Sequence, residues 1–268
     1  MIKVACIQLW HDDKDTKEDR IGRAEQLIDS AAESDLILLP EVWNIGWWSF
    51  DMYHEGSETL EGETISRMAE KARAVNAYVL AGSIVERQGD SLYNTAVLLD
   101  PRGRIVTTFR KMHLVGSGAA RKAGIREAEL CQRGTEIAVA KTDIGVFGIS
   151  ICYDLRFPEL FRKMAVEHGV EIFLHTSAWP MQWLDDWRAL CYARATENQC
   201  YLVACDSAGI NRGREYLGHS AIVNPHPLGA SFASAGIYET VVKGEIDISE
   251  IYRLREWFPA LEDRFLSV

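Results

Sequence analysis

Apolar and polar positions fall along the chain in blocks that switch between two periods. Residues 2–10 form an apolar run that reads as a first strand, and Asp15 to Glu33 places Ile21, Ala24, Leu27, Ile28 and Ala31 at the spacing of one helix face. A second short run, Asp35 to Leu39, stops at Pro40 and Glu41, so the chain opens strand, helix, strand. Glu61 to Asn76 reads as another amphipathic helix and Ala77 to Val85 as another strand. Tyr93 to Leu99 and Arg104 to Phe109 flank DPRG, whose turn residues predict a hairpin. After Lys111 the segment HLVGSGAARKAGIREAEL is rich in Gly and Ala and lacks a clean period, which predicts a loop with one helical turn.

Glu136 to Ala140 and Gly145 to Ile151 then read as a strand pair around TDIG, and Pro158 starts a helix through LFRKMAVEHG. Glu171 to His175 is strand-like, Trp183 to Asn198 helical and Tyr201 to Cys205 strand-like. Ser220 to Val223, Ala230 to Ala233 and Glu239 to Ile246 follow as short strands before a helix near Glu250 to Trp257. NPHPLG after the first of these is read as a small loop insertion. Alternating strands and helices with added hairpins predict an α/β fold with a mixed sheet. No composition break or linker divides the chain, so residues 1–268 are read as one domain.

Composition narrows the function classes. With 29 basic against 39 acidic residues the net charge is -10, which argues against a nucleic-acid footprint. No apolar stretch reaches the roughly 18–20 residues that a membrane span needs, and the first ten residues lack a signal-peptide layout, so the expected location is the cytoplasm. The six cysteines are scattered without a CxxC pair, and the seven histidines show no HExxH, so neither a disulfide framework nor a metal is expected.

Candidate chemistry sits where apolar runs end. Glu41 ends DLILLP, Lys111 ends RIVTTFR and Cys152 ends GVFGISI, at the junction with the helix after Pro158. Ligands in α/β sheets gather outside the carboxyl ends of strands, so three such residues can converge. An unpaired cysteine taken alone is most often a small buried hydrophobe. Together, a thiol, a carboxylate and an ammonium are the parts of an acyl-transfer site.

LLPEVW around Glu41, FRKMHL around Lys111 and SICYDLRFPEL around Cys152 resemble, in order and spacing, the three catalytic motifs of the nitrilase superfamily of carbon-nitrogen hydrolases. The similarity extends through RATENQCYLVACDSAG and GHSAIVNP to LEDRF. The resemblance implies a four-layer αββα sandwich of two mixed sheets, no cofactor, and subunits paired as a homodimer or higher homo-oligomer. It implies Cys152 as nucleophile, Glu41 as base and Lys111 as oxyanion partner, with the backbone NH of Tyr153 beside it. A second glutamate a few residues before a glycine is also expected; Glu127, seven before Gly134, fits best, with Glu129 as competitor.

Nitrile-hydrolysing relatives carry Trp-Glu after the nucleophile, whereas this chain has Tyr153 and Asp154, which favours an amide. CYDLRFPEL is most similar to members acting on small amides, including ω-amidases that cleave the terminal amide of dicarboxylic monoamides. A substrate carboxylate calls for a cation, and Arg156, Arg121, Lys122 and Arg126 are the candidates. Trp47, within the cluster Trp43, Trp47, Trp48, Phe50 and Tyr53, and Trp179 and Met181 of SAWPMQW, are candidate pocket walls. An aromatic pocket also suits aliphatic or aryl amides. N-carbamoyl amine or amino acid hydrolysis uses the same parts, and a non-catalytic scaffold on the same fold is the reading from a different class.

Overall fold

A computed structural model describes residues 1–116, 118–225 and 232–266. Its amino-terminal half contains β1 (Ile2–Gln8), β2 (Trp10–His11), α1 (Lys17–Ser30), β3 (Leu36–Leu38), α2 (Glu63–Val75), β4 (Tyr78–Gln88), β5 (Ser91–Leu99) and β6 (Ile105–Arg110). Two single-turn helices follow, α3 (Ala119–Lys122) and α4 (Glu127–Leu130), then the hairpin of β7 (Val139–Thr142) and β8 (Gly145–Ile151). The alternation resumes with α5 (Pro158–His168), β9 (Ile172–Ser177), α6 (Leu184–Asn198) and β10 (Tyr201–Asp206). The chain continues through β11 (Ala208–Asn211), β12 (Arg214–Glu215), β13 (Ala221–Val223), β14 (Phe232–Ser234), β15 (Thr240–Ile246) and α7 (Ile248–Trp257).

Two six-stranded sheets result, in the orders β15-β1-β3-β4-β5-β6 and β14-β13-β10-β9-β8-β7. Each has a parallel centre, β1-β3-β4 in one and β8-β9-β10 in the other, with antiparallel edges. The sheets lie face to face, with β1 against β10, β4 against β9 and β5 against β8. Both faces of each sheet are therefore covered, and alternate residues of one strand enter different cores. Val4 and Cys6 join the cluster between the sheets with Leu38, Leu98 and Ile149. Ala5 and Ile7 join the cluster under the outer helices with Ile21, Ile28, Ile65 and Met68. This is the four-layer αββα sandwich.

The helices start and stop where local chemistry directs. Thr16 caps α1 by accepting the Asp19 N–H at 3.1 Å, and Asp19 reaches back to the Thr16 N–H. Pro158 opens α5 and Gly169, at φ 69°, closes it.

Three expectations are corrected and one sheet is unforeseen. The strand expected at Glu136 starts at Val139, because the hairpin pairs Thr142 with Gly145 across a two-residue turn and sets its register from there. The segment after Lys111 holds two helical turns rather than one. The strand expected over Glu171 to His175 runs on to Ser177. A three-stranded sheet, β12-β11-β2, was not anticipated, since its members are only two to four residues long. Ala230 and residues 226–229 of NPHPLG lie outside the described residues.

Candidate active site

The first arm of the site is the turn after β3. Pro40 O accepts the Ser83 N–H at 3.1 Å and the Glu41 N–H reaches across to Ser177 O at 3.1 Å, so the turn is tied to both sheets. Val42 follows in the left-handed region, φ 42°, where a β-branched residue is strained, and its N–H is held by Ser83 Oγ at 3.1 Å. The close approach depends on Gly82, φ 65°, whose Cβ would sit 1.9 Å from Pro40 O.

Lys111 leaves β6 with its N–H on Asn94 O at 2.8 Å and enters a fully buried site. Its Nζ donates to Glu41 Oε1 at 2.7 Å and to Glu127 Oε1 and Oε2 at 2.9 and 3.1 Å. Glu127 also accepts the Val115 N–H at 2.8 Å and Trp47 Nε1–H at 3.2 Å. Glu129, the competitor, is turned outward to Arg126 and Arg121, so Glu127 is the second buried glutamate.

Cys152 follows β8 directly, with φ 47°, and begins a 3-10 turn over Cys152–Arg156 that separates it from α5. Residues held in this region outside glycine cluster at functional sites. Asp154, fully buried, fixes the turn by accepting the Ile151 N–H at 3.0 Å, the His113 N–H at 3.0 Å and His113 Nδ1 at 2.6 Å. The Lys111 segment and the Cys152 turn are thus joined through one carboxylate. Arg194 adds a hydrogen bond from Nε to Leu155 O at 2.9 Å.

Electrostatics assign the protons. Burial pushes the Cys152 thiol well above its usual pKa, and the Glu41 charge adds to this, so the resting group is a thiol. Burial also raises Glu41 above the ordinary carboxylate range, with the Lys111 ammonium opposing and Glu127 adding to the rise. Burial alone would deprotonate Lys111; the Glu127 and Glu41 carboxylates outweigh it and hold the ammonium. One oxygen of Glu41, Oε2, has no partner in hydrogen-bonding geometry, and the Cys152 thiol lies near enough to favour the carboxylate. A thiol beside a free carboxylate oxygen, with a cation behind, can attack a carbonyl carbon and hand its proton to the base.

The thiol opens into a cavity of about 390 Å³ lined by Trp47, Trp48, Val115, Ala120, Ile125, Tyr153, Arg156, Ala178, Trp179, Pro180 and Trp183. Arg156 is the one charged side chain in that wall among the described residues. Its guanidinium lies 4.9 Å from the Trp179 ring centroid and 5.2 Å from that of Trp183, and it pairs with Asp186 at 2.8 Å. Arg121, Lys122 and Arg126 do not line the cavity. Nor does Met181: the 3-10 turn Met181–Trp183 packs it against the core and presents Trp183 instead. Trp43 is core, with Nε1–H on Ala81 O at 2.8 Å, and Phe50 and Tyr53 back the walls, Tyr53 OH donating to Trp47 O at 2.9 Å.

Sequence reasoning missed Asn94, whose Nδ2 donates at 2.8 Å to both Glu41 Oε1 and Glu127 Oε1. Its signal was a lone amide inside the apolar strand SLYNTAVLL. Among the described residues no group of three His, Cys, Asp or Glu side chains could hold a metal ion, and no helix is long and apolar enough to cross a membrane.

The sequence matches the Carbon-nitrogen hydrolase family over residues 3–256. It is 35% identical over 270 residues to a 2-oxoglutaramate amidase of Paenarthrobacter nicotinovorans, covering 98% of this chain and 89% of that protein. It is 32% identical to omega-amidase NIT2 of Danio rerio, covering 98% and 94%. Among solved structures, Saccharomyces cerevisiae Nit3, a member of branch 10 of the nitrilase superfamily, superposes with a TM-score of 0.86 at 27% identity, covering 99% of this chain and 97% of that one. The chain therefore belongs to the carbon-nitrogen hydrolase family of the nitrilase superfamily, whose fold it has, and it is a hydrolase of non-peptide carbon-nitrogen bonds.

Proposed function

We propose that the protein hydrolyses the terminal amide of small dicarboxylic monoamides, releasing ammonia through an acyl thioester on Cys152. The observation that carries this reading is the cavity itself, with the Cys152 thiol at one place in its wall and, among the described residues, a single cation, Arg156, at another. An ω-amide presents the matching pair, an electrophilic carbonyl at one end and a carboxylate at the other. The relatives called 2-oxoglutaramate amidase and omega-amidase support it.

Glu41 takes the thiol proton as sulfur bonds to the amide carbon. The carbonyl electrons move onto oxygen, where the Lys111 ammonium and the Tyr153 backbone N–H stabilise the charge. Glu127 and Asn94 hold Lys111 and Glu41 in place. Protonated Glu41 passes its proton to the departing nitrogen, the tetrahedral species collapses to a thioester, and ammonia leaves. Glu41 then deprotonates a water that attacks the thioester, and the proton returns to sulfur as the acid departs.

Trp47, Trp48 and Trp179 wall the acyl chain, while Arg156 meets the distal carboxylate in exchange for part of its contact with Asp186. This part is tested by Arg156→Gln. A charge-assisted hydrogen bond contributes roughly 1.5–3 kcal/mol, so KM for a five-carbon monoamide should rise about 10- to 100-fold while a neutral amide of equal length is unaffected. Equal losses on both substrates would overturn the carboxylate role.

The proposal includes a homodimer or higher homo-oligomer, since Tyr252, Trp257 and Phe258 of the carboxyl-terminal helix and the residue after it are more than half exposed. It also includes a cytoplasmic setting, in keeping with six free thiols.

A further inference from the structure

The corner after β9, Ser177 to Pro180, adjoins Glu41, Cys152 and the cavity wall. Ser177 O accepts the Glu41 N–H, and the Ala178 N–H lies close enough to the Cys152 sulfur to favour its thiolate. Trp179 forms the wall beneath Arg156, and its carbonyl accepts the Leu217 N–H at 2.7 Å. The corner is anchored by Asp206, the last residue of β10, whose Oδ1 accepts the Trp179 N–H at 2.7 Å.

Asp206 is fully buried, and none of the main groups acting on it is a cation. Its carboxylate form is disfavoured by that burial and by the nearby Glu41 charge. Asp206 Oδ2 and Ser177 Oγ both lack a partner in hydrogen-bonding geometry, although the hydroxyl is close enough to act on the carboxyl.

We propose that Asp206 is a positioning residue that locks the Ser177–Pro180 corner and through it holds the Glu41 backbone, the Ala178 N–H beside the Cys152 sulfur and the Trp179 wall of the cavity in register. A buried carboxyl at a strand end often anchors a turn and nothing more. Here the anchored turn carries a donor to the nucleophile, so loosening it changes thiol reactivity as well as stability.

The test compares Asp206→Asn with Asp206→Ala in the full chain. Asparagine keeps the acceptor for Trp179, so kcat, KM and the rate of Cys152 alkylation by iodoacetamide should stay within about threefold of the parent. Alanine removes that acceptor, and displacement of a reacting group by about 1 Å can cost 100-fold, so kcat/KM and the alkylation rate should each fall about tenfold or more. If Asp206→Ala does not fold, Asp206→Ser, too short to reach the Trp179 amide, takes its place. An asparagine variant as impaired as alanine overturns the anchoring role of the Oδ1 acceptor. A folded alanine or serine variant with parental alkylation and kinetics overturns the positioning role. The kinetic arm rests on the amide-hydrolase reading, whereas alkylation of Cys152 does not, so failure of the one is distinguishable from failure of the other.

Discussion

Lys111 is one positive charge between two buried carboxylates, so full ionisation of Glu41 and Glu127 leaves an excess negative charge out of water. The proton equilibrium of Glu41 is therefore the sensitive point. As base it works ionised, so kcat/KM should fall as pH drops through its pKa, and burial places that limb above the ordinary glutamate value of about 4.3. Glu127→Gln removes a negative neighbour that raises this pKa, so the acid limb should move to lower pH while kcat drops. A limb that moves upward, or stays put, contradicts the assignment. Glu41, Lys111 and Cys152 were legible in the sequence because each closes an apolar run. Asn94 and Asp206 were not: a polar residue in a strand pattern has the same spacing whether its side chain meets solvent or a buried carboxylate.

Two of the turns that carry these groups are strained, at Val42 and at Cys152 itself. Strain of this kind persists only where neighbouring elements over-determine it, and at the Glu41 turn the determinant is the irregularity in β4 between Leu80 and Ser83. Gly82→Ala should therefore cost more than about 1 kcal/mol in unfolding free energy, since the new Cβ meets Pro40 O and the left-handed φ is unfavourable. Loss of activity should accompany it. Chemical denaturation checks the first part, and an unchanged midpoint would show that the turn yields freely. The amphipathic helices α1 and α2 were readable to within two or three residues, because one stripe faces one core. The stretch from Leu114 to Arg126 was not, since Val115, Ala120 and Ile125 line the cavity, Val115 and Ile125 also packing on the small aromatic cluster beside it, and so repeat with no period.

Across the whole molecule, burial that serves the site has a cost in acid. His175 lies fully buried between Ser150 Oγ, 2.9 Å from its Nδ1, and Trp187, and burial pulls its pKa down to about 3. Between pH 6.5 and 3 the unfolded chain binds a proton there that the folded chain does not, so stability present above about 6.5 is lost as pH falls. His175→Gln removes this one contribution. Its stability should fall less steeply than the parent's from pH 6.5 to 4, by about 2–3 kcal/mol at most; parallel curves would contradict the buried neutral imidazole. The two-sheet architecture itself was beyond periodicity, because a strand buried on both faces gives an unbroken apolar run that does not say what covers it. Only the ordered trio of motifs carried that information. The trio's central claim is covalent, and intact-protein mass spectrometry after brief mixing with an ω-amide tests it most directly. A mass increase equal to the acyl group should appear, mapped to Cys152 and lost in Cys152→Ala together with ammonia release; ammonia release that persists in Cys152→Ala would contradict the thioester.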